Sequence, residues 1–115
     1  MKPATPANVE HYVWGDGCDG WHLVKRDDLS VIRERVPAGR AEKMHYHLRA
    51  RQFFYVLRGT ATLIVGQDKT VIGEGEGLEV APNIPHQLRN ESGTDLEFIV
   101  ISAPKSHGDR VDVPV

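Results

Sequence analysis

Between Met44 and Gly59 the chain reads MHYHLRARQFFYVLRG, which sets His45, His47 and Gln52 inside eight residues. On a strand, side chains at i and i+2 share a face and stand roughly 6.8 Å apart along the backbone. Two imidazoles at that spacing can converge on one ion at about 2.1 Å each, while Tyr46 between them points the other way. Gln52 has the wrong parity to follow His47 on an unbroken strand. Leu48–Arg51 is therefore expected to turn as a hairpin and deliver Gln52 beside the histidines on the next strand. A third histidine, His86, follows the turn in APNIPHQLRN, where two prolines and an asparagine stiffen the backbone under it. A His-x-His pair alone is as well explained by surface decoration or a hydrogen-bonded core pair; the combined spacing is what points to metal. His11, His22 and His107 show no such spacing and read as surface or packing residues.

Outward from this stretch, 11 glycines and 7 prolines punctuate segments rich in Val, Ile, Leu, Phe and Thr. From Pro37 onward the breaks recur every eight to twelve residues or so, the rhythm of an all-β barrel or sandwich. The pattern predicts strands at Trp21–Lys25, Leu29–Val36, Lys43–His47, Gln52–Arg58, Ala61–Val65, Thr70–Ile72, Leu78–Ala81, His86–Asn90 and Leu96–Ser102. No stretch keeps a capped 3.6-residue periodicity over about twelve positions, so no long helix is expected. Residues 1–20 and 104–115 read as irregular segments flanking a barrel at 21–103. Tyr12, Trp14, Trp21 and Val115 suggest that those segments pack on the body.

At 115 residues the chain suits one domain with one core. Fourteen Lys and Arg against sixteen Asp and Glu, without like-charge runs, give a net charge of −2 and no footprint for nucleic acid or a membrane surface. No apolar run approaches the roughly 20 residues of a membrane span, and Met1–Asn8 lacks the apolar centre of a signal peptide. A cytoplasmic location is expected. The single cysteine, Cys18, fits a reducing compartment and reads as a buried or loop thiol.

The spacing Gly39-x5-His45-x-His47-x4-Gln52-x6-Gly59 resembles the first motif of the cupin superfamily, with glutamine where that motif has glutamate. Gly75–Asn90, GEGLEVAPNIPHQLRN, resembles the second motif, with Gly75, His86 and Asn90 in register, Ala81 in place of its proline and Asn83 in place of its glycine. The resemblance covers Gly39 to Asn90 and implies a double-stranded β-helix, a jelly-roll barrel of two antiparallel sheets with inward-facing ligands. It also implies one divalent transition ion (Fe, Mn, Ni, Zn or Cu) held by His45, His47, His86 and Gln52. Cupin activities include oxygenases, isomerases, cyclases and decarboxylases as well as proteins that only bind or sense, so the fold leaves the function open.

The amide keeps an oxygen donor but removes a negative charge, leaving a bound divalent ion at +2 where glutamate would give +1. Such an ion is a stronger Lewis acid and favours anionic ligands. Gln52 cannot act as a general base. Either it ligates the ion or it hydrogen-bonds a ligating histidine. Parity with Gln52 and His86 predicts a mainly apolar pocket wall of Phe54, Val56, Leu88 and Asn90. The opposite face of the Gln52–Arg58 strand, Phe53, Tyr55 and Leu57, is also apolar, which calls for a cover and favours a homodimer. Arg49, Arg51 and Arg58 read as turn decoration, with one of them available to an anionic substrate. The expectation is a metal-dependent enzyme acting on a small oxygen-rich or anionic metabolite; the alternative is a small-molecule binding or sensing protein with a structural metal.

Overall fold

The computed structural model describes residues 1–114; Val115 lies outside the described residues. Eleven strands follow one another: β1 His11–Trp14, β2 Cys18–Lys25, β3 Ser30–Val36, β4 His45–His47, β5 Arg51–Arg58, β6 Ala61–Val65, β7 Asp68–Ile72, β8 Gly77–Val80, β9 His86–Arg89, β10 Leu96–Ala103 and β11 Arg110–Asp112. They form a six-stranded sheet in the order β1-β2-β3-β10-β5-β8 and a five-stranded sheet in the order β11-β4-β9-β6-β7. Every pairing is antiparallel.

Strand alternation builds the core. In β10, LEFIVISA, Leu96, Phe98, Val100 and Ser102 are buried, whereas Glu97, Ile99, Ile101 and Ala103 face outward. In β5, RQFFYVLR, Gln52, Phe54 and Val56 are buried in the same way. Phe54, Val56, Leu63, Leu88, Leu96 and Phe98 meet between the sheets. Each large apolar side chain so buried stabilises the fold by roughly 1.5–3 kcal/mol.

Two expectations about chain path need correction. Residues 1–20 and 104–115 are not wholly irregular, because β1 and the start of β2 lie in the first and β11 in the second. These are edge strands of three or four residues, or are interrupted by glycine, too short for a period of two to stand out in sequence. Tyr12 and Trp14 of β1 do pack against the core cluster. The second correction concerns Leu48–Arg51, which is not a hairpin: β4 pairs with β9 and β11, whereas β5 belongs to the other sheet. The turn crosses between sheets, and Gln52 approaches the histidines from across the barrel.

That corner is clamped by the C-terminal segment. Arg49 N and Ala50 N donate to Asp109 Oδ2 at 3.0 and 2.9 Å, and Leu48 N donates to the Asp109 carbonyl at 3.2 Å. Burial works against ionisation of Asp109, but the two backbone donors together with the charges of His47 and Arg49 outweigh it and hold the carboxyl below its usual range.

Candidate metal centre and its cavity

The turn before β9 brings the third histidine into place. Asn83 adopts φ 66°, a left-handed conformation that asparagine tolerates better than most residues with a Cβ, so it can stand where glycine was expected. Asn83 N donates to the His47 carbonyl at 2.7 Å, tying the turn to β4. His86 then pairs directly with His45 across β4 and β9. The three imidazoles lie with centroids 4.4 Å (His45–His86), 5.0 Å (His45–His47) and 5.8 Å (His47–His86) apart. One ring nitrogen of each lies within 4.8 Å of the others, so the trio could hold one metal ion.

Tautomers are set by backbone carbonyls. His45 Nδ1 donates to Lys43 O at 2.7 Å and His86 Nδ1 donates to Ile84 O at 2.9 Å, leaving each Nε2 with a free lone pair. Burial, the main cause, drives His45 and His47 down to about 4 and lowers His86, so all three are neutral near pH 7, the state a ligand requires. His47 Nδ1 is buried without a hydrogen-bond partner among the described residues. An unsatisfied buried polar atom costs about 1–3 kcal/mol.

Gln52, buried on β5, donates from Nε2 to Ser102 Oγ at 3.0 Å. Its Oε1 stands 3.1 Å from His86 Nε2. With the His86 proton on Nδ1, two acceptors face each other there, an arrangement that is repulsive unless a cation joins them. Two ligands about 2.1 Å from one ion at right angles are about 3 Å apart, so the donor set fits a divalent transition ion.

His45, His47 and Gln52 line a cavity of about 330 Å³. Its wall departs from the apolar one expected. Phe54 lines it together with Ile32, Val100, Tyr12 and Trp14, and so do Glu34, Glu42, Ser106, His107 and Arg110. Val56 and Leu88 are instead sealed in the core, each one pleat beyond Phe54 and His86 respectively and packed between the sheets. Asn90 is also buried away from the cavity: its Nδ2 donates to Val36 O and Thr94 O, and its Oδ1 accepts from Ser92 Oγ, an organising centre for the turn after β9. The arginine at the cavity is Arg110, whereas Arg49, Arg51 and Arg58 stand outside it near Asp109, Glu79 and Glu97. His107 lines the cavity too, and His22 is buried beside it.

Two carboxyls in this wall are perturbed. Glu34 is pushed up to about 8, first by burial and then by the charge of Glu42, against the opposing pull of the Tyr12 hydroxyl and Arg110. Glu42 is raised to about 7 by burial. Its Oε1 accepts from Leu88 N at 3.0 Å, and its Oε2 lies 3.5 Å from His45 Nδ1. The sequence carried a signal for Glu34: in SVIRERV it shares the inward row with Ser30, Ile32 and Val36, and a carboxyl on such a row needs a reason.

A protein-family model described as the cupin domain matches residues 32–102. The chain is a cupin. This cupin is 27% identical over 89 residues to an uncharacterized protein of Methanocaldococcus jannaschii, a match covering 76% of this chain and 71% of that one. It superposes on the polyketide cyclase RemF of Streptomyces resistomycificus with TM-score 0.84 at 18% identity, covering 100% of this chain and 87% of that one. An RmlC-like cupin from Shewanella frigidimarina gives TM-score 0.82 at 21% identity, over 91% and 92% of the two chains. At these identities the two structures establish the shared jelly-roll fold. No helix of the described residues is long and apolar enough to cross a membrane.

Proposed function

We propose that this cupin is a metal-dependent enzyme for a small oxygen-rich or anionic metabolite, with His45, His47, His86 and Gln52 as the ligands of one divalent transition ion. The observation that carries the reading is the pair of opposed acceptors, Gln52 Oε1 and His86 Nε2, 3.1 Å apart at the edge of three neutral histidines. When bound, the ion supplies Lewis-acid stabilisation of negative charge developing on a ligand oxygen. The chain's own residues do the rest. Lys43 O and Ile84 O hold two imidazoles in the ligating tautomer, and Ser102 holds the amide with its oxygen inward. Phe54, Ile32 and Val100 give the cavity an apolar side, and Arg110 adds positive charge at the wall. The 330 Å³ cavity limits the ligand to a small molecule. RemF, a polyketide cyclase, shares this fold, which is compatible with an enzymatic role for such a barrel.

Elemental analysis of protein purified without a histidine tag tests this reading: about one transition ion per chain is expected, with loss of it in single alanine variants of His45, His47 or His86. Wild-type metal content in the triple alanine variant would place the metal elsewhere and reject the proposal.

We further propose that the protein functions as a homodimer through the outer face of the six-stranded sheet. Phe53 and Tyr55 are each 39% exposed there, and Phe53 is paired across β5 and β10 with Ile101, 37% exposed. A dimer is expected by light scattering at micromolar concentration, with Phe53→Glu shifting it to monomer; a wild-type monomer would overturn this part.

A further inference from the structure

One row across the six-stranded sheet is built unlike its neighbours. Tyr12 on β1 pairs with Gly20 on β2, Gly20 pairs with Glu34 on β3, and Glu34 pairs with Phe98 on β10. Gly20 has a purpose in that row. A Cβ there would sit 2.3 Å from Tyr12 Cζ and 2.6 Å from its hydroxyl, so only glycine lets the Tyr12 ring lie flat across β2. The tyrosine thereby passes over an entire strand and turns its hydroxyl toward Glu34 on β3, near enough to oppose the upward pKa shift that burial imposes there. His22 and His107 close around the same ring, with centroids 5.0 and 5.9 Å from it.

Glu34 and Glu42 both line the metal cavity, but they are differently placed. Glu42 has one oxygen occupied by Leu88 N and the other beside His45 Nδ1, so it supports a ligand. Glu34 lies near the Tyr12 hydroxyl and lines the cavity with His45, His47, Phe54 and Arg110. A partly buried carboxyl beside a tyrosine hydroxyl, lining the same cavity as His45 and His47, is arranged for proton transfer.

We propose that Glu34, positioned by Tyr12 across Gly20, is the catalytic acid–base of this cupin and that the reaction is an isomerisation or ring closure initiated by proton transfer at carbon beside a carbonyl. This deepens the enzyme reading above and rests on it. Glu34 as carboxylate takes the proton: the ligand C–H bond breaks, the Glu34 O–H bond forms, and the C–H electron pair becomes a C=C bond as the carbonyl π pair moves to oxygen. The enolate then recovers a proton from Glu34, at oxygen or at another carbon of the conjugated system, and the carboxylate is restored. Composition does not change, so neither oxidant nor reductant is consumed. The perturbed acidity of Glu34, pushed up to about 8, brings it within reach of both protonation states near neutral pH. The titratable and charged groups facing it are Tyr12 from β1, Cys18 from β2, Glu42 before β4, His45 and His47 from β4, and Arg110 from β11.

The experiment is solvent-deuterium exchange into pyruvate, dihydroxyacetone and acetylacetone, followed by proton NMR on metal-loaded protein, with metal content and oxalate binding measured in parallel. Wild type is expected to accelerate exchange of at least one probe, and Glu34→Gln to lose at least about 100-fold of that acceleration with metal content and oxalate binding unchanged. Tyr12→Phe keeps the ring but not the donor; it should move the pH midpoint of exchange upward by about one unit, which a purely structural role would not do. Infrared spectra of the metal-free protein give a readout independent of turnover: a protonated-carboxyl band at pH 6.5 should weaken in Glu34→Gln. Exchange at the wild-type rate in Glu34→Gln, an unchanged band, or no exchange of any probe by a wild-type protein that holds metal and binds oxalate would overturn the proposal alone. Wild-type protein without stoichiometric metal would overturn the enzyme reading and this proposal together.

Discussion

The two walls of the cavity bury polar groups in opposite ways. The five-stranded sheet presents His45, His47 and His86, bases that burial keeps unprotonated. The six-stranded sheet presents Glu34 from β3, and Glu42 stands in the segment just before β4; these are acids whose proton affinity burial raises. Desolvation thus disfavours charge on both sides by shifting protonation in opposite directions. The lesson is that one wall offers lone pairs while the other offers carboxyls poised between their two protonation states, with Arg110 as a fixed positive charge.

The difference can be broken most strongly by pH, in metal-free protein. Raised carboxyls bind protons in the folded state that the unfolded chain has already released, so stability falls as pH rises from about 4.5 to about 8. For Glu34 alone the loss is roughly 4–5 kcal/mol by pH 9, and Glu34→Gln should therefore raise Tm at pH 9 while changing it little at pH 5. The histidine wall has the opposite slope. With folded values near 4 against an ordinary 6.5, the unfolded state binds more protons, and stability falls as pH drops through that window. The loss is about 3 kcal/mol per histidine by pH 4, and it should shrink in His45→Gln and His47→Gln. Thermal melts between pH 4 and pH 9 read both slopes; a Tm that is flat across the whole range would mean that neither wall is held neutral.

A smaller effect sharpens the comparison at Gln52, where the six-stranded sheet reaches the histidines. Gln52→Glu adds one negative charge at ligand distance, and metal should bind roughly tenfold more tightly after screening. Oxalate binding to the loaded protein should weaken, because the net charge of the site falls from about +2 to +1. Calorimetry on both variants in one buffer separates the cases. Weaker metal binding would mean that the Ser102 contact requires an amide, and no change in either titration would put Gln52 out of electrostatic reach of the ion.

Much of the barrel was legible because its signals are local. A period of two with turn residues between runs located β3, β5, β6 and β10 nearly to the residue. The short edge strands β1 and β11 were not legible, since three or four residues carry too little alternation and their partners lie in other parts of the chain. At the site, His45 and His47 share a face by backbone geometry alone, and a proline-stiffened turn announced His86. Gln52 was placed correctly in the site's neighbourhood but for the wrong reason: a hairpin was inferred where the chain crosses between sheets. Parity identified Val56, Leu88 and Asn90 as inward, yet inward includes both cavity and sealed core, and only the packing of the opposite sheet decides which.

What the sequence by itself determined is the all-β class, the spacing of the three histidines and the amide at the fourth position, all consequences of pleat and turn chemistry within short stretches. What only the tertiary structure decided is the acid wall. Tyr12, Gly20, Glu34 and Arg110 span almost a hundred positions, and no local pattern couples them. They meet because β1, β2 and β3 lie side by side in one sheet while β11 pairs with β4 in the other, so a glycine can clear the way for a tyrosine two strands from its carboxyl. Burial then shifts the protons, and burial belongs to the closed barrel rather than to any segment of the chain.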